Sequence, residues 1–160
     1  MYAVSVSKRR IALPNVAQKT AATCGAACVR AVLRFAGHDV DEATLARQTR
    51  TRRDGCDPVD ISRVLRRYGV RSTAVHGMTD AGLRAELARG FPVILGIRDE
   101  ADEGHWVVAV DNDARAIAVM DPSHGEHAMI AWSDLAARWW DVEGRPARPM
   151  VRFGLVVRLR

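Results

Sequence analysis

Residues 18–37 read QKTAATCGAACVRAVLRFAG, and the second part of that stretch carries a helical period. Cys24, Cys28, Ala31, Val32 and Phe35 fall at i, i+4, i+7, i+8 and i+11, the spacing of one helix face, and Gly37 stands where a C-terminal cap belongs. The spacing predicts a helix over about 24–36. It opens on one of only three cysteines in the chain, and that cysteine is followed directly by a glycine.

The same punctuation continues downstream. Asp41, with Val40 before it and Leu45 four residues after it, has the pattern of an N-cap with a hydrophobic staple and predicts a short second helix that ends near the arginine cluster. Asp57-Pro58 starts a third over about 58–68, with Ile61, Val64 and Leu65 as its apolar face and Gly69 as its stop. Thr79 caps a fourth, which carries Leu83 and Leu87 on one face and ends at Gly90. The texture then changes to strands: PVILGIRD (92–99), HWVVAVDND (105–113), AIAVMDP (116–122) and VRFGLVVRLR (151–160), each bounded by turn residues. The run 105–121 reads as a hairpin, and Ser133 is expected to cap one more helix through Trp139. Helices followed by a mainly antiparallel sheet predict a two-layered α+β fold in a single domain over 1–160. A groove between the layers would bring the start of the first helix against the sheet.

Composition narrows the class. The chain has 160 residues, 48% hydrophobic and 27% charged, enough for one globular domain with a sizeable core. No apolar run approaches the roughly 18 residues of a membrane span. The N-terminus places Lys8, Arg9 and Arg10 after mildly apolar residues, without the apolar core and small-residue cleavage site of a secretion signal. Three cysteines, an odd number, suit a reducing compartment better than a disulfide framework, so the expected location is cytoplasmic. The net charge of +5 is almost all arginine. Its densest cluster, Arg47, Arg50, Arg52 and Arg53, has no interleaved aromatic residue, which favours a solvated basic surface over nucleic-acid binding.

Chemistry enters at the opening of the first helix. The unpaired N–H groups and positive end of a helix stabilise a thiolate, which would make Cys24 reactive, and Gly25 allows close backbone approach beside it. The plainer reading is a buried small hydrophobe, like Cys28 one turn later. His105 starts an otherwise apolar strand after a polar loop, where it can serve a thiol as general base and acid or simply cap the loop. Asp121 ends the paired strand and can orient the imidazole, or be an ordinary Asp-Pro turn residue. Gln18, six residues before Cys24, can donate its amide to an oxyanion together with the Cys24 N–H, or be a surface glutamine. Cys24 and Cys28 lack a second ligand pair, so no metal site is predicted, and no cofactor. Cys56 reads as a free loop thiol without a role, His124 and His127 as exposed residues flanking the loop after Asp121 with His124 able to line the groove, and the four tryptophans as core or groove wall.

Taken in order, Gln18 to Ala27, Leu33-Arg-Phe-Ala-Gly37, Gly55, Tyr68-Gly69-Val70, Phe91-Pro92-Val93-Ile94, His105-Trp106-Val107-Val108 and Asp121-Pro122-Ser123-His124-Gly125 resemble the C39 cysteine peptidases. Those are papain-like domains that remove leader peptides after a double glycine, usually at the front of a bacteriocin-exporting ABC transporter. The resemblance spans about 18–140. It implies Cys24 as nucleophile, His105 as general base and acid, Asp121 as orienting carboxylate and Gln18 as oxyanion donor, acting on a peptide or leader-peptide substrate. Two departures stand out: Thr23 occupies the place where members often carry aspartate, and no transporter follows, so coupling to export would need a separate ABC transporter. Two other functions fit the same residues. A papain-like acyltransferase would pass the thioester to an amine or thiol, and a catalytically silent module would hold a peptide without cutting it.

Overall fold

Apolar periodicity and turn chemistry act together along the chain in the computed structural model, which describes residues 10–159; the basic stretch through Arg9 and the terminal Arg160 lie outside it. The elements run α1 (Cys24–Phe35), α2 (Glu42–Gln48), α3 (Pro58–Arg67), β1 (Arg71–Val75), α4 (Asp80–Ala88), β2 (Val93–Arg98), β3 (Gly104–Asn112), β4 (Ala116–Asp121), β5 (Glu126–Ala131), α5 (Trp132–Arg138), β6 (Trp140–Glu143), β7 (Arg148–Val151) and β8 (Gly154–Arg158). All four predicted early helices form. Asp41 caps α2 by accepting the Thr44 N–H at 2.8 Å, and the Thr79 hydroxyl caps α4 by accepting the Gly82 N–H at 2.9 Å.

Six strands make one antiparallel sheet in the order β1-β8-β2-β3-β4-β5, and β6 and β7 form a separate two-stranded hairpin. The result is the expected α+β architecture, with one difference in layering. Residues His105 to Val110 of β3 are all buried, so both faces of the central strand are covered, and α1 and α4 are both packed against it. Alternation is therefore absent from β3, as in any strand buried on two sides. Among the described residues no helix is long and apolar enough to cross a membrane.

The structure adds to the sequence reading and corrects it at several points. β1 and β5 are strands that the apolar pattern does not announce: RSTAV is half exposed at the sheet edge, and EHAMIA is paired residue by residue with β4. His127 is consequently a half-buried β5 residue opposite Met120, not an exposed loop residue. The terminal run is not one strand, because Arg152, at φ 48°, breaks it into β7 and β8. Ser133 does not cap α5, which starts at Trp132 without a side-chain cap. Asp57 does precede α3, yet its carboxylate is drawn away from the cap and accepts the Gly144 N–H at 3.1 Å and an Arg52 N–H at 3.2 Å. That contact ties the β6–β7 turn to the loop before α3, across a cavity beside Cys24.

Candidate active site

The β3–β4 register decides which side chains meet. Val108 lies opposite Met120, so the pairing brings the His105 end of β3 beside the Asp121 end of β4. The irregularity in the ladder falls between Ala109 and Asp111, beyond Val108, and leaves the His105 end in step. His105 Nε2 donates to Asp121 Oδ1 at 2.7 Å, and Ser123 Oγ lies 3.1 Å from the same nitrogen. The Ser123 N–H donates to the same Asp121 oxygen at 2.9 Å. Ser123 thus belongs to this cluster, although the sequence offers only its place in a turn dipeptide's wake as a signal.

Electrostatics follow from these bonds. Burial lowers the pKa of His105, but hydrogen bonds to Asp121 and Cys24 outweigh it and raise it to about 9. Burial raises that of Asp121, and the His105 and Ser123 hydrogen bonds more than reverse this, holding it below the usual carboxylate value. The two shifts agree on an ion pair. With Nε2 committed to Asp121, Nδ1 is the ring nitrogen left for the Cys24 thiol.

Cys24 is the first residue of α1. Thr23, at the N-cap position, makes no side-chain cap; its hydroxyl turns back, accepting the Thr20 N–H and donating to the Thr20 carbonyl, both at 3.1 Å. The first N–H groups of α1 are therefore not consumed by a cap, in contrast to α2 and α4, and remain as donors at the thiol. Gly25 answers the question of the Cys-Gly pair. A Cβ there would stand against Cys56 Sγ and 3.1 Å from Trp106 Cδ1, so only glycine lets the helix start settle onto this wall. Trp106 completes the wall by donating its indole N–H to the Cys56 carbonyl at 3.2 Å.

The remaining candidates separate. Cys28 is fully buried, its thiol against the Trp106 carbonyl at 3.4 Å, and burial pushes its pKa well up. Cys56 is buried at the cavity wall, and burial, with Cys24 nearby, raises its pKa to about 12. Gln18 has one amide hydrogen on the Thr20 carbonyl at 2.8 Å, and its backbone N–H donates to the carbonyl of Pro122, directly after Asp121, at 2.8 Å. His124 is exposed and borders a second cavity with His105, Asp121 and Ser123. No group of three or more His, Cys, Asp and Glu able to hold a metal occurs among the described residues.

A cavity of about 200 Å³ opens beside Cys24, between Cys56, Trp106 and Gly104 on one side and Asp141 and Gly144 on the other. Asp141 accepts from Arg98 at 3.2 Å and lies where a side chain on Gly104 would be, 2.5 Å from its Cβ position. The lining is therefore polar and tight at the point where β3 begins. The place of Asp141 in this cavity was not legible from the sequence, because β6 gives no strand signal.

A cysteine at a helix start, facing a histidine that is itself held by a carboxylate, is the arrangement of a thiol hydrolase, and the family model for the peptidase C39 family matches residues 12–142. The chain belongs to the peptidase C39 family. Its fold is similar to a double glycine motif protease from an AMS/PCAT transporter solved in complex with its leader peptide, at TM-score 0.70 and 19% identity over 95% of both chains. The peptidase domain of Streptococcus ComA, a bi-functional ABC transporter of a quorum sensing pathway, is similar at TM-score 0.75 and 15% identity, over 92% of this chain and 99% of that one. A C39-like chain from Bacillus anthracis gives TM-score 0.74 and 14% identity, over 95% and 98%. At these identities the likeness to the three solved structures is one of fold. No curated protein matches the chain.

Proposed function

We propose that this C39 family member is a cysteine peptidase that cleaves after small residues, Gly-Gly at the end of a leader peptide, with Cys24, His105 and Asp121 as its catalytic residues and Gln18 as oxyanion donor. The observation that carries the reading is the 2.7 Å bond from His105 Nε2 to Asp121, which leaves the other ring nitrogen to the thiol at the opening of α1. In the mechanism, His105 holds the Cys24 proton as an imidazolium, and the thiolate attacks the scissile carbonyl. The oxyanion is met by the Cys24 N–H and the second amide hydrogen of Gln18. His105 then protonates the leaving amine, and water attacks the thioester, losing its proton to His105 and expelling the Cys24 thiolate, which restores the starting pair.

The preference for glycine is supported by the tight cavity beside Cys24, walled by Trp106, Cys56 and the Arg98–Asp141 pair. A separate ABC transporter is the partner that the family resemblance implies, and the cytoplasm the compartment. The test is mass spectrometry on synthetic peptides with a leader-like segment, Gly-Gly and a short cargo. The reading expects a single cut after the second glycine, no cut when both glycines are leucine, and none by Cys24→Ala. An uncut wild-type reaction, or equal cutting by Cys24→Ala, contradicts it. An adduct with an added amine in place of the free acid would instead mark the acyltransferase.

A further inference from the structure

Three consecutive backbone amides before Cys24 each donate to a different part of the fold. The Gln18 N–H goes to the Pro122 carbonyl at 2.8 Å, the Lys19 N–H to Glu42 Oε2 at 3.0 Å and the Thr20 N–H to Thr23 Oγ1 at 3.1 Å. The first reaches the residue directly after Asp121, at the end of β4, and the third the residue before the nucleophile. Only the middle one lands on the side chain of another helix, Glu42 of α2.

Glu42 is an odd residue for that position. It is a carboxylate only 2% exposed, at the first residue of α2. Its Oε1 is buried with no partner among the described residues, so the Lys19 N–H is the one hydrogen bond found for the carboxylate. Removing a carboxylate from water is costly unless it is hydrogen-bonded, and the positive end of α2 offsets only part of that. An apolar residue would pack α2 onto α1 without this cost. What an apolar residue cannot do is hold the Lys19 amide, and with it the backbone of Gln18 from its C-terminal side.

We infer that Glu42 is a positioning residue: through the Lys19 N–H it holds Gln18 in place so that the Gln18 amide meets the oxyanion. The inference rests on the role proposed above for Gln18. An oxyanion donor must sit within about half an ångström of its productive place, and a segment without regular secondary structure does so only when its backbone is tied on both sides. Pro122 ties one side of Gln18 and Glu42 the other.

The test is a double-mutant cycle on the cleaved peptide, paired with hydrogen exchange. Glu42→Ala is expected to lower kcat on the order of tenfold with KM little changed, because the lost interaction acts in the transition state. Glu42→Gln, whose amide oxygen still accepts the Lys19 N–H, is expected to recover most of it. In a Gln18→Ala background, Glu42→Ala is expected to have no further effect on kcat. Exchange at the amides of residues 18 and 19 is expected to speed up in Glu42→Ala and not in Glu42→Gln. Glu42→Asp, which keeps the charge and shortens the reach, replaces the alanine variant if that one does not fold. Additive losses in the cycle, or unchanged exchange at residues 18 and 19, overturn the inference while leaving the peptidase standing. A wild-type protein that cuts no peptide overturns the peptidase reading, and the exchange data then report on the clamp alone, where unchanged rates again reject it.

Discussion

Cys24 and Cys28 lie four residues apart on the same face of α1 and are both buried, yet the fold surrounds them differently. Cys28 is sealed between the helix and β3, with its thiol on the Trp106 carbonyl and its pKa raised by burial. Cys24 borders the cavity and faces a histidine held protonated by a carboxylate. The residue type is identical, so the difference is made by position: one helical turn separates a filled interior from the edge where α1 starts, β3 starts and β4 ends. At such an edge backbone N–H groups lack intrahelical partners, and side chains from separate elements converge.

The largest break in that comparison is expected from exchanging the two thiols for alanine. Cys24→Ala should reduce peptide cleavage at least about a thousandfold while the protein remains folded. Cys28→Ala should keep cleavage and cost about 1 to 2 kcal/mol in urea unfolding, as a small buried cavity does. Parallel losses of activity would erase the distinction. Next in size, Asp121→Asn should lower kcat by roughly a hundredfold or more, since it removes the charge that stabilises the imidazolium; an unchanged kcat would detach Asp121 from the site.

Two changes sharpen the comparison at the helix start. Gly25→Ala gains about 1 kcal/mol of helix propensity, but the new Cβ meets Cys56 Sγ and Trp106. The expected net result is a loss of about 1 to 3 kcal/mol, partly recovered when Cys56→Ala is added. A stabilised single variant would contradict the packing described. The smallest effect is expected from Asp41→Ala, which should lower the urea midpoint slightly through the lost α2 cap; an unchanged midpoint would contradict the capping role.

The ion pair also sets a pH window. His105 is raised in the folded protein to about 9, so its contribution to stability is fully present below its unfolded value of 6.5 and is lost as pH rises through about 9. Asp121 is lowered from 3.8, so its contribution is present above that value and is lost as pH falls below it. The stability advantage of wild type over His105→Ala, measured by urea unfolding, should therefore be greatest between about pH 4 and 6.5, fall between 6.5 and about 9, and lack this contribution above about 9. An advantage that grows toward alkaline pH would contradict the pairing.

The helices were legible because each carries two agreeing signals, a cap and an apolar face, as in Asp41 with Leu45 or Thr79 with Leu83. The meeting of His105 and Asp121 was legible for a similar reason: a hairpin with a short turn fixes register, and register fixes which ends meet. What stayed hidden depends on contacts between distant segments. β5 is held by pairing with β4, not by its own alternation, and β6 and β7 pair only with each other, so neither EHAMIA nor WDVE carries a strand pattern strong enough to read. Asp57 looks like a cap and spends its carboxylate on Gly144, 87 residues away. Glu42 looks like a first-turn surface acid and is buried under Lys19.

The central claim is that position at the site edge, with His105, makes one thiol of three reactive. Iodoacetamide labelling of the folded protein near neutral pH, with each cysteine located by peptide mass mapping, tests it directly. The account predicts rapid labelling of Cys24, none of Cys28 and Cys56 on the same timescale, and a marked slowing at Cys24 in His105→Ala. Labelling of Cys24 no faster than Cys56, or unaffected by the loss of His105, would contradict it.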